Sequence, residues 1–179
     1  MTQPPGIVRP ATAADAPACA ELYAPYVRDT AITFESEPPG ASEMAARIAD
    51  FSASHAWLVL ERDGKLQGYA YAHRLNQRTA YDWSCETSIY VAGGTRGAGV
   101  GRALYRELLP LLAQRGYRRA YALVALPNPA SIAFHERFGF ETVGTLRRVG
   151  WKLGGWHDVA WLQRDLLDGD TGEPPVRLR

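Results

Sequence analysis

The stretch from Ser84 to Arg102, SCETSIYVAGGTRGAGVGR, constrains this chain more than any other. Glu86 to Val91 has the β-branched and aromatic make-up of a strand, and the glycines between Gly93 and Gly101 punctuate a turn. From Val100 onward, apolar residues at Ala103, Leu104, Leu108, Leu111 and Leu112 predict a helix. The first N–H groups of a helix lack intrahelical partners and carry the positive end of its dipole, so a glycine turn lets a phosphate approach them closely. Strand, turn and helix in this order predict an anion cradle.

Side chains alternate along a strand, so Ser84, Glu86, Ser88 and Tyr90 share one face while Cys85, Thr87, Ile89 and Val91 share the other. Glu86 and Tyr90 are thereby predicted to point into one cleft. The opposite face reads as core.

The remaining chain supplies elements to pack around this stretch. Ile7 to Arg9 is a short strand candidate, and Thr12 with Asp15 forms an approximate capping box for a helix from about Ala13 to Tyr26. Residues 30–35 read as an extended loop that leaves Phe34 available to line a pocket, and Ser42 is the expected cap of a second helix through about Phe51. Asp63-Gly64 between two β-rich runs predicts a hairpin. Residues 74–83 mix polar and aromatic side chains, the make-up of a ligand-binding loop. Pro110 is expected to bend the helix after the glycine turn, with Gly116 as its stop. A continuous apolar run at 119–126 reads as a buried strand, Asn128-Pro129 as the start of a short helix, and 141–149 and 157–166 as two last strands.

Three phosphate-binding patterns compete for the turn. A P-loop ends in Gly-Lys-Ser/Thr, whereas Gly101 is followed by Arg102 and Ala103. A dinucleotide fingerprint needs an acid at the end of the next strand, and residues 119–126 contain none. The third pattern, Arg/Gln-x-x-Gly-x-Gly/Ala, is met in full by Arg96-Gly97-Ala98-Gly99-Val100-Gly101.

That hexapeptide, joined by Asn128-Pro129-Ala130-Ser131 and the run from Phe134 to Gly139-Phe140, resembles the GCN5-related N-acetyltransferases (GNAT). Residues 80–91, 124–128 and 154–159 resemble their phosphinothricin and methionine sulfone acetyltransferase subfamily, and the likeness spans Ile7 to about Leu166. The resemblance implies an α/β (α+β) fold: a mixed, mostly antiparallel twisted sheet of about six to seven strands, about four flanking helices, and a V-shaped cofactor cleft at the central strands. Length and composition predict one domain, over residues 1–167, and the make-up of 168–179 a poorly ordered tail.

Function follows as expectation. The resemblance implies acetyl-CoA as co-substrate, held by Ile89, Tyr90, Val91, Arg96, Gly97, Ala98, Gly99, Val100, Gly101 and Arg102, with Asn128 and Ser131 toward the pantetheine arm. It implies Glu86 as the base that deprotonates an amine, and a backbone N–H near Val91 that polarises the acetyl carbonyl. His135 stands where many members carry a tyrosine and is expected to protonate the departing thiolate or bond to the cofactor, beside the plainer reading of a structural histidine in a helix. An anionic amino acid analogue calls for a guanidinium and hydroxyls, which Arg78 and Tyr81 offer, with Phe34, Tyr90 and Ala125 around the pocket. Asn76 and Ala125 depart from the Lys and Gly of the herbicide-detoxifying members.

Composition sets the outer bounds. A net charge of +1 spread over 179 residues gives no basic tract for nucleic acid, and no run is long enough to cross a membrane. The N-terminal residues lack the layout of a secretory leader, so a cytoplasmic protein is expected, without metal, and the resemblance adds a homodimer. Acetylation of a peptide N-terminus or polyamine, non-catalytic acetyl-CoA binding, and dinucleotide binding stand as rival readings.

Overall fold

In the computed structural model, residues 6–95 and 97–167 are described. Strand β1 (Ile7–Pro10) leads into a single 3-10 turn over Ala13–Asp15. The Asp15 carboxylate folds back to accept the Thr12 N–H at 2.8 Å and is gripped by both terminal nitrogens of Arg9, also at 2.8 Å. The chain passes from this 3-10 turn into α1 (Ala16–Asp29) rather than starting an α-helix at Ala13, with Pro17, which has no N–H to bond back to Ala13, in its first turn. Its buried residues Ala16, Cys19, Ala20, Tyr23 and Val27 form one stripe at helical spacing.

Helix α2 (Ala41–Ser54) begins after Gly40, whose extended backbone occupies the cap position expected of Ser42. Strands β2 (Ala56–Arg62) and β3 (Lys65–Arg74) form the expected hairpin. Both turn residues are left-handed, with φ of 52° at Asp63 and 71° at Gly64, the twist that matches paired strands. Strand β4 (Ser84–Val91) returns antiparallel to β3, and α3 (Val100–Gln114) follows the glycine turn. Pro110 lies on the exposed face of α3, which runs through it unbroken. There the missing N–H bond falls on the solvent side, while Leu104, Leu108 and Leu112 are fully buried below. Each such leucine contributes roughly 1.5–3 kcal/mol of burial.

Strand β5 (Arg119–Ala125), helix α4 (Pro129–Glu136) and strands β6 (Glu141–Lys152) and β7 (Gly155–Asp165) complete the chain. The last hairpin is longer than expected because Leu153-Gly154, with φ of 49° and 76°, closes it in two residues. Trp151 and Trp156 therefore face each other in paired strands, their ring centroids 5.4 Å apart.

The seven strands lie in the order β1-β2-β3-β4-β5-β7-β6, all antiparallel neighbours except β4 and β5. With four α-helices among the described residues, this is the mixed, mostly antiparallel architecture expected. Alternation along β2 divides the core in two. Ala56, Leu58 and Leu60 pack beneath α3, while Trp57 and Val59 pack beneath α1 and α2.

The parallel pair decides the shape. β4 and β5 are paired only at Ser84 with Arg119, Cys85 with Ala120 and Glu86 with Tyr121, yet β4 continues to Val91 and β5 to Ala125. Beyond Glu86 the two strands part, opening a V in the middle of the sheet.

Candidate active site

Glu86 stands at the vertex of that V. The predicted alternation holds along β4: Cys85 and Thr87 are buried, with Ile89 and Val91 packed on the α3 side, while Tyr90 joins the α1/α2 side. The Glu86 side chain is 22% exposed. Burial pushes its carboxyl above the ordinary range, and the imidazole of His73, with Nε2 3.7 Å from Oε1, pulls it back down. A carboxylate with raised proton affinity beside an open cleft suits a base.

The walls of the V carry backbone groups. Ala92 N–H donates to the Gln67 carbonyl at 2.8 Å, so by the alternation of an antiparallel ladder Ile89 and Val91 direct their N–H groups away from β3, toward the gap. The Val91 carbonyl is held by the Tyr26 hydroxyl at 2.7 Å.

At the mouth of the V, Gly97 and Gly99 both have φ of 81°, a left-handed conformation that glycine adopts without steric cost. Gly99 is the N-cap of α3. A Cβ at Gly101 would lie 3.1 Å from the Phe134 ring and 3.3 Å from Ile89 Cδ1, and one at Gly68 would lie 2.8 Å from Val100 Cγ1. Glycines therefore let the start of α3 sit directly on β4 and α4. Open turn, helix start and inward-facing N–H groups fit a pyrophosphate with a peptide-like arm behind it. Ala98 is exposed and Val100 buried, while the Arg102 guanidinium lies beside Gly99. Arg96 and the tail at 168–179 lie outside the described residues.

On the facing side, Asn128 caps α4 by accepting the Ser131 N–H at 3.2 Å. Asn128 also lines a cavity of about 410 Å³ with Leu126, Pro127, Pro129 and Ile132. His135 is 3% exposed. Its Nδ1 donates to the Ser131 carbonyl at 2.8 Å and its Nε2 faces the Tyr105 hydroxyl at 3.0 Å. Burial lowers its proton affinity, partly offset by the Ser131 carbonyl. Tyr105 Oη in turn lies 3.2 Å from Thr87 Oγ1, which donates to the Tyr121 carbonyl at 3.0 Å. This buried chain crosses from α4 through α3 to both arms of the V. Tyr105 escaped sequence reading because it occupies an ordinary buried helix position.

The acceptor residues are brought together in part. Tyr90 sits among Tyr23, Tyr26 and Tyr69, with ring centroids 4.7, 5.2 and 5.5 Å away. Phe34 leans on the backbone of Gly150 and on His157, and Ala125 sits on β5 opposite Val159. Arg78 and Tyr81 lie on the exposed β3–β4 loop, and no hydrogen bond or ring contact links them to Phe34 or Tyr90. Asn76 is spent on that loop's own turn, accepting the Arg78 N–H at 3.0 Å. No cluster of three or more His, Cys, Asp or Glu able to hold a metal ion occurs among the described residues. Among them, no helix is long and apolar enough to cross a membrane.

A split sheet whose gap is flanked by a glycine-lined helix start and a half-buried glutamate defines an acyl-coenzyme A-dependent transferase. The family model described as an acetyltransferase (GNAT) domain matches residues 8–161, and the chain belongs to that family. Within it, the chain is 38% identical over 172 residues to a phosphinothricin N-acetyltransferase of Streptomyces viridochromogenes, covering 96% of this chain and 92% of the relative. It is 42% identical over 162 residues to that of Alcaligenes faecalis, covering 89% and 82%. The crystal structure of a phosphinothricin acetyltransferase from Sinorhizobium meliloti in complex with acetyl-CoA superposes with a TM-score of 0.91 at 36% identity, covering 97% of this chain and 94% of that one. An L-methionine sulfoximine/L-methionine sulfone acetyltransferase of Pseudomonas paraeruginosa is 29% identical over 162 residues, covering 89% and 94%.

Proposed function

We propose that this enzyme transfers acetyl from acetyl-CoA to the α-amino group of a small amino acid analogue of the phosphinothricin or methionine sulfone type, directly and with Glu86 as base. The observation that carries the reading is the end of β4–β5 pairing at Glu86 and Tyr121, which leaves the carboxylate at the root of the gap. The relatives named above supply the substrate class.

Acetyl-CoA supplies the activated acetyl group. The turn from Gly97 to Gly101 would hold its pyrophosphate, and Asn128 and Ser131 its arm. Val91 N–H would draw charge from the acetyl carbonyl, while Glu86 takes the proton that an ammonium must lose before it can attack. His135, hydrogen-bonded to Tyr105, would give a proton to the departing thiolate or bond the cofactor. Tyr90 and Phe34 wall the acceptor, and Arg78 and Tyr81 meet its anionic group.

The reading places the protein in the cytoplasm, in keeping with free, buried Cys19 and Cys85. It also includes a homodimer. Edge strand β6 exposes Val143, Leu146, Val149 and Trp151, more apolar surface than an unprotected edge ordinarily carries.

A panel of amines assayed by thiol release from acetyl-CoA tests the reading. Phosphinothricin and methionine sulfone are expected to outrun polyamines and peptide N-termini, and Glu86→Gln to abolish turnover while still binding acetyl-CoA. Polyamines as good as the amino acid analogues, or wild-type turnover in Glu86→Gln, would overturn it.

A further inference from the structure

Glu86 has a neighbour that cofactor binding does not use. His73 stands opposite it in the β3–β4 register, with Nε2 3.7 Å from Glu86 Oε1, an ion-pair separation. Its other ring nitrogen, Nδ1, lies 3.1 Å from the Arg74 carbonyl oxygen. A carbonyl only accepts, so Nδ1 carries a proton and the neutral ring turns a bare Nε2 toward the carboxylate. Two facing acceptors repel, and the pair rests only with one proton between them. Phe51 and Tyr71 hold the ring there, at centroid distances of 5.3 and 5.8 Å.

Behind His73 the protein opens. A cavity of about 1020 Å³ is lined by His73 with Asp50, His55, Arg74, Asp82 and Tyr117, and Glu86 is not part of its wall. His73 is therefore the member of the pair that reaches both the base and the cavity. Other polar groups around the pair are Tyr71 on β3, Ser88 on β4 and Tyr121 on β5. Asp50 and His55 lie at the end of α2, and Arg115 is felt by His55. Arg74 and Asp82 are occupied with each other at 3.1 Å.

We infer that His73 is the positioning residue of the base: it holds the Glu86 carboxylate, takes from it the proton removed from the amine, and releases a proton to solvent through this cavity. The inference rests on Glu86 being the base. The amine N–H bond breaks as a Glu86 oxygen takes the proton. That O–H bond breaks as Nε2 takes it, the resting imidazolium having first given its own Nε2 proton to water in the cavity, which restores both the carboxylate and the shared proton of the pair. Hydrogen bonds of this kind commonly shorten once substrate is bound. No other electron pair moves, and the proton released balances the one that acetylation of an ammonium must shed.

The test is the pH profile of kcat and kcat/KM for the full chain with acetyl-CoA and phosphinothricin. His73→Gln is expected to keep the KM for acetyl-CoA, to lose about ten-fold in kcat, and to move the acidic limb to higher pH, because no positive partner favours the ionised carboxylate. Added imidazole is expected to restore part of kcat. A profile that superimposes on the wild type, or a loss in kcat with an unmoved limb and no rescue, overturns the inference. Should circular dichroism show His73→Gln misfolded, His73→Asn is read by the same criteria. Wild-type turnover in Glu86→Gln removes the parent reading, whereas an inactive Glu86→Gln beside an unchanged His73→Gln removes only the role of His73.

Discussion

Phe34 lies over Gly150 so closely that a Cβ at Gly150 would stand 2.2 Å from the Phe34 ring. The loop that carries Phe34 is tied down independently, by Arg47 to Glu35 at 2.7 Å and by Lys152 Nζ to the Thr33 carbonyl at 2.7 Å. Gly150→Ala is therefore expected to push out the ring and leave the loop. The KM for the amine should rise several-fold with the KM for acetyl-CoA unchanged. An equal rise in both would mean that Phe34 is not a wall of the acceptor pocket.

His55 predicts a pH-dependent stability. Burial, with His73, Arg74 and Arg115 nearby, lowers its pKa from the ordinary 6.5 to about 4. The folded chain thus keeps the ring neutral where the unfolded chain protonates it. Its contribution is complete above pH 6.5 and is lost as pH falls from there toward 4. In urea titrations, His55→Gln should lower stability at neutral pH and show a shallower decline over that window. Parallel curves for the two proteins would refute the assignment.

Gly99 predicts a backbone cost without a clash. With φ of 81° and its nearest prospective neighbour, an Arg102 nitrogen, at 3.7 Å, Gly99→Ala should cost about 1–2 kcal/mol through the left-handed backbone alone. For a chain of this size that is a fall in Tm of roughly 2–8 °C. Calorimetry should find that saturating acetyl-CoA recovers less of the Tm in the variant than in the wild type.

Asn128 carries two roles that one substitution pair can separate. Asn128→Ala removes the α4 cap and should cost about 1 kcal/mol. Asn128→Asp retains a capping oxygen, so it should keep the Tm while raising the KM for acetyl-CoA through lost donation to the pantetheine arm. If both variants bind acetyl-CoA as the wild type does, Asn128 is a cap and nothing more.

The edge strand bears on assembly. Trp151→Lys together with Val149→Lys places charge on the exposed face of β6 and should shift the protein toward monomer in analytical ultracentrifugation. A wild-type protein that sediments as a monomer at every concentration would end the dimer proposal.

Much of this was legible before any coordinates, for local reasons. The Asp63-Gly64 turn, the Asn128-Pro129 helix start and the two faces of β4 each depend on a few consecutive residues whose backbone preferences agree. The late start of α1 escaped sequence reading although Pro17, which has no N–H to bond back to Ala13, lies in its first turn. The pairing of His73 with Glu86 was not legible, since the register across β3 and β4 is fixed by how residues 75–83 close, and composition does not encode that. Tyr105 was hidden by its own ordinariness: a buried aromatic in a helix gives no sign of the His135 ring above it. Arg78 and Tyr81 read as residues of a ligand-binding loop from its polar and aromatic make-up; where that loop sits relative to Phe34 and Tyr90 depends on the whole sheet.

The two-faced construction of β4 also says what kind of change this lineage can absorb. Substitution alters one side chain at a time and leaves the strand's phase alone. Insertion or deletion of a single residue between Ser84 and Glu86 would rotate everything that follows by half a period, turning Tyr90 toward Leu104 and Tyr105 and sending Val91 to the opposite side. Relatives of this chain should therefore differ in the letters of this segment other than Glu86 and in the length of the loops around it, while its own length stays fixed.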